Sequence, residues 1–178
     1  FDAGAKRRPK AKAQPGLPAW MAEANRQKGV REKPGKGSNP IIMDWANNLD
    51  VHYPDDDVPW CGLFVAHCTH VGAPNDKQPP NVLGARQWLR FGLECDPVYG
   101  AVLVFWRGKR NGWQGHVGFY AGEDNTAYHV LGGNQSNSVN ITRISKSRLL
   151  GARWPASVPV DGERILRNAD GSLSTNEA

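Results

Sequence analysis

The sequence predicts an α+β domain, with helices from its first half packed on an antiparallel sheet from its second. Three observations point there. Helix start and stop signals recur up to residue 92. Beyond residue 100 the apolar residues come in short runs of strand length. Turn residues separate those runs, which suits strands joined to their neighbours as hairpins.

Pro18 can sit in the first turn of a helix that runs to about Lys28 and ends at Gly29. Asn39-Pro40 reads as a cap followed by a first-turn proline, opening a second helix through about Asn48. Pro59 precedes a third helix, at about 60–71, with Gly72 as its stop. A fourth is expected from about Val82 to Phe91, stopped by Gly92. Four strands follow: Ala101 to Trp106, His116 to Ala121, Thr126 to Leu131 and Val139 to Ile144. Gly122 to Asn125 makes the hairpin connection between the second and third.

A chain of 178 residues that is 39% hydrophobic, with 7 Trp and 5 Phe, holds one real core. The expected organisation is a basic flexible tail at 1–16, a compact domain at 17–155 and a second flexible tail at 156–178. No apolar run approaches the roughly 18 residues of a membrane span, and no secretory signal is visible at the N-terminus. Of the net charge of +5, residues 1–16 hold +4 (five Lys and Arg against Asp2), which leaves +1 for the rest. The domain itself is therefore nearly neutral, and no basic stripe with interleaved aromatics argues for nucleic acid as the main partner. Three cysteines, Cys61, Cys68 and Cys95, cannot all pair within one chain, so at least one thiol is free.

The third helix carries the most informative cysteine. At about 100° per residue, Cys61, Phe64, Val65 and Cys68 share one face. Cys68 lies two turns along that stripe and reads as a core residue. Cys61 tops it at the helix N-terminus, where free backbone N–H groups and the macrodipole favour a thiolate and suit an oxyanion. Gly62 would leave the sulfur open to a bulky substrate. A cysteine nucleophile needs a base, and that base an orienting group. His116 opens a strand between Gly115 and Gly118, two small residues that would leave room for a substrate chain. Either His129 on the next strand or Asn134 at its end could accept or exchange a hydrogen bond with its ring. His67 and His70 fall on the far side of the helix and are expected to face solvent, and His52 has no evident role. The scattered cysteines, without a C-x-x-C, match no zinc pattern, and the glycine-rich stretch at 33–37 matches no phosphate loop.

Pro59-Trp60-Cys61-Gly62-Leu63-Phe64-Val65 followed by Gly115-His116-Val117-Gly118-Phe119-Tyr120 resembles the NlpC/P60 and CHAP superfamily of peptidoglycan hydrolases. Leu131-Gly132-Gly133-Asn134-Gln135 adds to the likeness. So do Gly29 to Gly35, Asn39-Pro40-Ile41 and Ala85 to Leu89, in an order similar to a branch found among phage lysins and bacterial toxin effectors. The resemblance spans about 17–155 and leaves both tails without a counterpart. It implies a papain-like fold, with Cys61 as nucleophile, His116 as base and a polar third residue. NlpC/P60 members place a His about where His129 falls, with one residue more in the hairpin. CHAP members place an Asn near Asn134, with a Glu two residues earlier where this chain has Gly132; Asn134 is favoured over His129, because Gly132-Gly133 frees the backbone before it.

The implied reaction is amide hydrolysis in the wall peptide, as an endopeptidase or an N-acetylmuramoyl-L-alanine amidase, with no cofactor. Trp60, Trp88, Trp106 and Trp113 are candidate groove walls, and Gln135 a candidate substrate contact. The other reading is a catalytically inactive wall-binding module on the same fold. The expected partner is peptidoglycan, with an immunity or delivery protein beside it. The expected state is a monomer acting in the periplasm or outside the cell, delivered by lysis or a secretion system.

Overall fold

A computed structural model describes residues 17–177. It is an α+β arrangement with three helices and a six-stranded antiparallel sheet. Helix α1 spans Ala19–Arg26, α2 Pro40–Asn48 and α3 Cys61–Gly72. The strands are β1 Leu93–Glu94, β2 Val102–Trp106, β3 Gly115–Glu123, β4 Ala127–Gln135, β5 Ser138–Ser145 and β6 Leu149–Trp154. Their order across the sheet is β1-β6-β2-β3-β4-β5. The basic segment 1–16 lies outside the described residues. No described helix is long and apolar enough to cross a membrane.

Local chemistry accounts for the helix ends. Asn39 caps α2 by accepting a hydrogen bond from the Ile41 N–H at 2.9 Å, and Pro40 occupies the first helical position, where its missing N–H costs nothing. Gly72, the last residue of α3, does more than stop the helix. A Cβ there would lie 2.1 Å from the Trp20 nitrogen, so the glycine lets α1 cross α3 at backbone contact. The Trp20 indole donates to the Gly100 carbonyl at 2.8 Å and meets Trp154 edge-on at 5.1 Å, tying α1 to the sheet.

Helix α3 is buried along almost all of its length, not on one stripe. His67, expected in solvent, lies under α1 and α2: it bonds Glu23 at 2.8 Å and stacks on Trp45 at 5.2 Å. His70 is exposed, as expected. Cys68 is wholly buried, and burial pushes its thiol well above the usual value. Cys68→Ser is therefore expected to lower unfolding free energy by about 1–3 kcal/mol, since it buries a hydroxyl in an apolar place. Urea titrations of the parent and the variant measure this.

The expected fourth helix is a 3-10 turn over Ala85–Arg90, entered from an extended Gly84 and pinned by the Trp88 indole on the Val82 carbonyl. Two strands beyond the expected four complete the sheet. The longer, β6, pairs with β1 on one side and β2 on the other. Gly122 and Glu123, expected in the hairpin turn, belong to β3.

Of the expected flexible tail at 156–178, residues 165–174 run along the sheet. The N–H of Glu123 donates to Ile165, that of Arg167 returns to Glu123, and that of Ser174 donates to Arg143. Parallel bridges join Leu166 to Glu123 and Leu173 to Arg143. Charge fixes this path: Glu123 gathers Arg164 and Lys146, and these partners hold its carboxyl down at about 2.

Candidate functional site

The first residue of α3 is Cys61, and its side chain is 3% exposed. Burial raises its pKa. Backbone hydrogen bonding from Val117 and Gly62 and the charge of Arg107 work the other way. The sulfur thus lies against the backbone of β3 at the residue after His116. Gly62 does not open the sulfur to substrate: a Cβ there would meet the Val82 carbonyl oxygen at 2.0 Å, so the 82–84 segment already fills that space. Gly115 and Gly118 are likewise filled by neighbours, Phe105 and Arg86 at the first and Val130 at the second.

His116 is fully buried. Its Nε2 lies 3.0 Å from Gln135 Oε1. The Gln135 amide cannot turn over, because its nitrogen donates to Val130 O, Asn140 O and Asn140 Oδ1 at 2.8–3.1 Å. Its oxygen therefore accepts, and Nε2 of His116 carries the proton. That leaves Nδ1 as the lone-pair nitrogen, and among the described residues it has no hydrogen-bond partner. No Cys61–His116 hydrogen bond is formed.

Neither expected orienting residue touches the ring. Residues of one strand face alternately up and down. Tyr120 pairs with Val130, so His116 shares a face with Val130 and Gly132, and His129 takes the opposite face. There His129 bonds Asp124 at 2.8 Å, beside the Arg143–Asp124 ion pair. From Gly132, strict alternation would bring Asn134 to the His116 face. Instead Gly132 pairs with Asn140 and Gln135 with Ser138, three steps along β4 against two along β5. This bulge moves Gln135 into the place Asn134 would have taken. Asn134 sits in the left-handed region at φ 57°, buried, with both amide atoms unpartnered among the described residues. The two glycines serve close approach. A Cβ on Gly132 would strike Gln135 Oε1 at 2.6 Å, and one on Gly133 the Trp60 ring at 2.7 Å.

The proposed groove walls separate. Trp60 and Trp88 are core residues, with their indoles bonded to Glu32 and to Val82. Trp106 is half-buried with an unpartnered Nε1. Trp113 is 85% exposed and stands free to meet a ligand. A recess of about 550 Å³ is lined by His129, Arg143, Leu166, Asn168 and Asp170 among others and does not include Cys61 or His116. No grouping of three or more His, Cys, Asp and Glu suited to a metal occurs among the described residues.

Burial pushes His116 down to about 4. The Gln135 bond and Glu177 raise it, and Arg148 and Arg107 lower it. The folded state thus refuses a proton that the unfolded imidazole takes up near 6.5. The sign follows: this contribution to stability is full above pH 6.5 and is lost as pH falls through 4. It amounts to roughly 3 kcal/mol in the limit, at about 1.4 kcal/mol per pH unit. The parent should lose urea resistance between pH 6.5 and 4.5, and His116→Gln should lose clearly less there. The carboxyl of Glu123, held at about 2, acts only at lower pH.

Sequence reasoning did not identify the roles of Arg107, Arg148 and Glu177. Arg148 closes the 3-10 turn Lys146–Arg148, donates to the Trp106 carbonyl at 3.1 Å and pairs with Glu177, which is 3% exposed. Set against protein-family models, curated proteins and solved structures, the chain matches none of them.

Proposed function

We propose that this protein is a cysteine hydrolase of peptidoglycan that cuts an amide bond of the wall peptide, on a papain-like fold of the NlpC/P60 kind. The observation that carries the reading is a linked set. Cys61 opens α3 with its sulfur against the β3 backbone at Val117, next to His116, whose imidazole is locked by Gln135 with Nδ1 left as acceptor.

In the proposed reaction Nδ1 of His116 takes the Cys61 proton and the thiolate attacks the amide carbon. Backbone N–H groups at the head of α3 hold the oxyanion, and the imidazolium protonates the departing amine. A water molecule, deprotonated by His116, then releases the acid from the thioester. The sum is one amide and one water giving one acid and one amine. The chain's own groups suffice for each step. The resemblance of sequence supplies the wall as substrate and the cell exterior or periplasm as its place of action.

Purified sacculi incubated with the protein, followed by mass analysis of the released muropeptides, test this. New amine and carboxylate ends, one water heavier than the intact wall, are the expected result, and their position separates endopeptidase from amidase. Sacculi left chemically intact by a folded protein would overturn it. The closed state of the pair, with no Cys61–His116 bond, favours a second reading, a wall-binding module. That reading requires retention on sacculi without any released product.

A further inference from the structure

A polymer has to reach Cys61 and His116, yet both are buried. The segment 171–177 ends on Arg148, which also holds the carbonyl of Trp106, the residue paired with Gly115 next to His116. The segment is tied down by the Ser174 N–H on Arg143 O at 2.8 Å, by Arg143 on Gly171 O at 2.7 Å and by the Ser136 N–H on Asn176 O at 3.0 Å. Its end is Glu177, whose carboxylate accepts from Arg148 and, at 2.8 Å, from Ser174. Arg107, Gly108, Arg148, Thr175 and Glu177 together line a recess of about 260 Å³. Arg148 holds the carbonyl of Trp106, and Trp106 pairs with Gly115, the residue before His116, so the recess lies near the base, and the charges of Arg148, Arg107 and Glu177 act on it. Arg107 also acts on Cys61. Leu173 is the segment's one large apolar side chain, and it is 44% exposed, so no apolar anchor holds the segment in place. Trp106 and His116, on the paired ends of β2 and β3, each keep a buried polar atom, Nε1 and Nδ1, without a partner among the described residues. Native proteins leave few such atoms, and those at a ligand site are met when the ligand arrives.

Resting on the hydrolase reading above, we propose that Arg148 and Arg107 form a carboxylate subsite of the catalytic centre, and that Glu177 fills it as an internal stand-in for an acidic residue of the wall peptide. An arginine fork held from behind, as Arg148 is by the Trp106 carbonyl, suits a carboxylate better than a neutral amide. Wall stem peptides carry free carboxylates close to their amide bonds, so the segment and the substrate compete for one place. The wall peptide enters when the segment 171–177 swings away, and an acidic stem peptide is preferred to an amidated one.

The test reads Cys61 directly and needs no turnover. Alkylation by iodoacetamide is followed by peptide mass mapping, which separates Cys61 from Cys68 and Cys95. Glu177→Gln should react at Cys61 at least about tenfold faster than the parent, the scale of one lost charge-assisted bond. In Glu177→Gln, acetyl-alanyl-γ-glutamyl-lysine with a free α-carboxylate should protect Cys61 at a concentration about tenfold lower than its α-carboxamide twin. Adding Arg148→Leu should remove that preference, and adding Arg148→Lys should keep part of it, which guards against loss by misfolding. Equal alkylation of the parent and Glu177→Gln would overturn the stand-in. Equal protection by acid and amide, or a preference that survives Arg148→Leu, would overturn the subsite. Turnover of sacculi without acid preference sinks this proposal alone, and acid preference without turnover sinks the hydrolase reading alone.

Discussion

Cys61→Ser is expected to keep the fold and to lose the proposed wall-degrading activity by on the order of 10⁴-fold or more. The fold survives because the exchange alters one atom at a helix start, next to backbone N–H groups of Val117 and Gly62 that a hydroxyl oxygen accepts from as readily. Activity does not survive, because a serine hydroxyl beside a weak, buried imidazole is neither deprotonated nor as nucleophilic as sulfur. Initial rates of sacculus clearing, with circular dichroism as the folding control, measure it. Cys68→Ser is the reference: it loses stability and retains turnover. If Cys61→Ser clears sacculi like the parent, Cys61 is not the nucleophile.

His116→Ala is expected to be as inactive as Cys61→Ala, because the proposed nucleophile and base would work as one unit. Gln135→Ala comes next, at roughly 10- to 1,000-fold below the parent, the scale for a group that aims a catalytic base. Its loss frees the ring to take the other tautomer and turn the proton toward Cys61. His129→Ala disturbs the Asp124–Arg143 network and costs stability, with turnover per folded molecule close to the parent. Asn134→Ala meets backbone strain at φ 57°, which Asn134→Gly avoids. The measurement is kcat in equally folded variants. A larger loss of kcat for His129→Ala than for Gln135→Ala would reverse the assignment.

The helices were legible where the chain spells out their ends: Asn39-Pro40 for α2 and the proline before Trp60 for α3. Strands β2 to β5 were legible from apolar runs between turns. Strand β6 was not, because Gly151 and Arg153 interrupt its apolar pattern and its partners lie far away in the chain. Gly151 is there for packing, since a Cβ would come within 2.9 Å of Leu89. At the site, Cys61 and His116 stood out because a helix start and a strand start fix where they are. The residue bonded to the His116 ring did not, for a geometric reason: one extra residue in β4 reverses the alternation, so counting by twos from Gly132 lands on Asn134 and not on Gln135. The carboxylate on the Arg148 recess was hidden because Glu177 lies in a segment that composition reads as solvent-bound.

The place of β6 in the sheet has a consequence for synthesis. Strand β2 has β3 on one side within a short hairpin, but its other neighbour is β6, more than forty residues later. Until Leu149–Trp154 leaves the ribosome, one edge of a wholly apolar strand is unsatisfied, and β1 has nothing to pair with at all. Long loops of this kind close slowly, and an open edge recruits other chains meanwhile. A nascent chain stalled or cleaved before Leu149 is thus the form of this protein most prone to aggregate, and strand insertion at β6 is the event that ends that exposure.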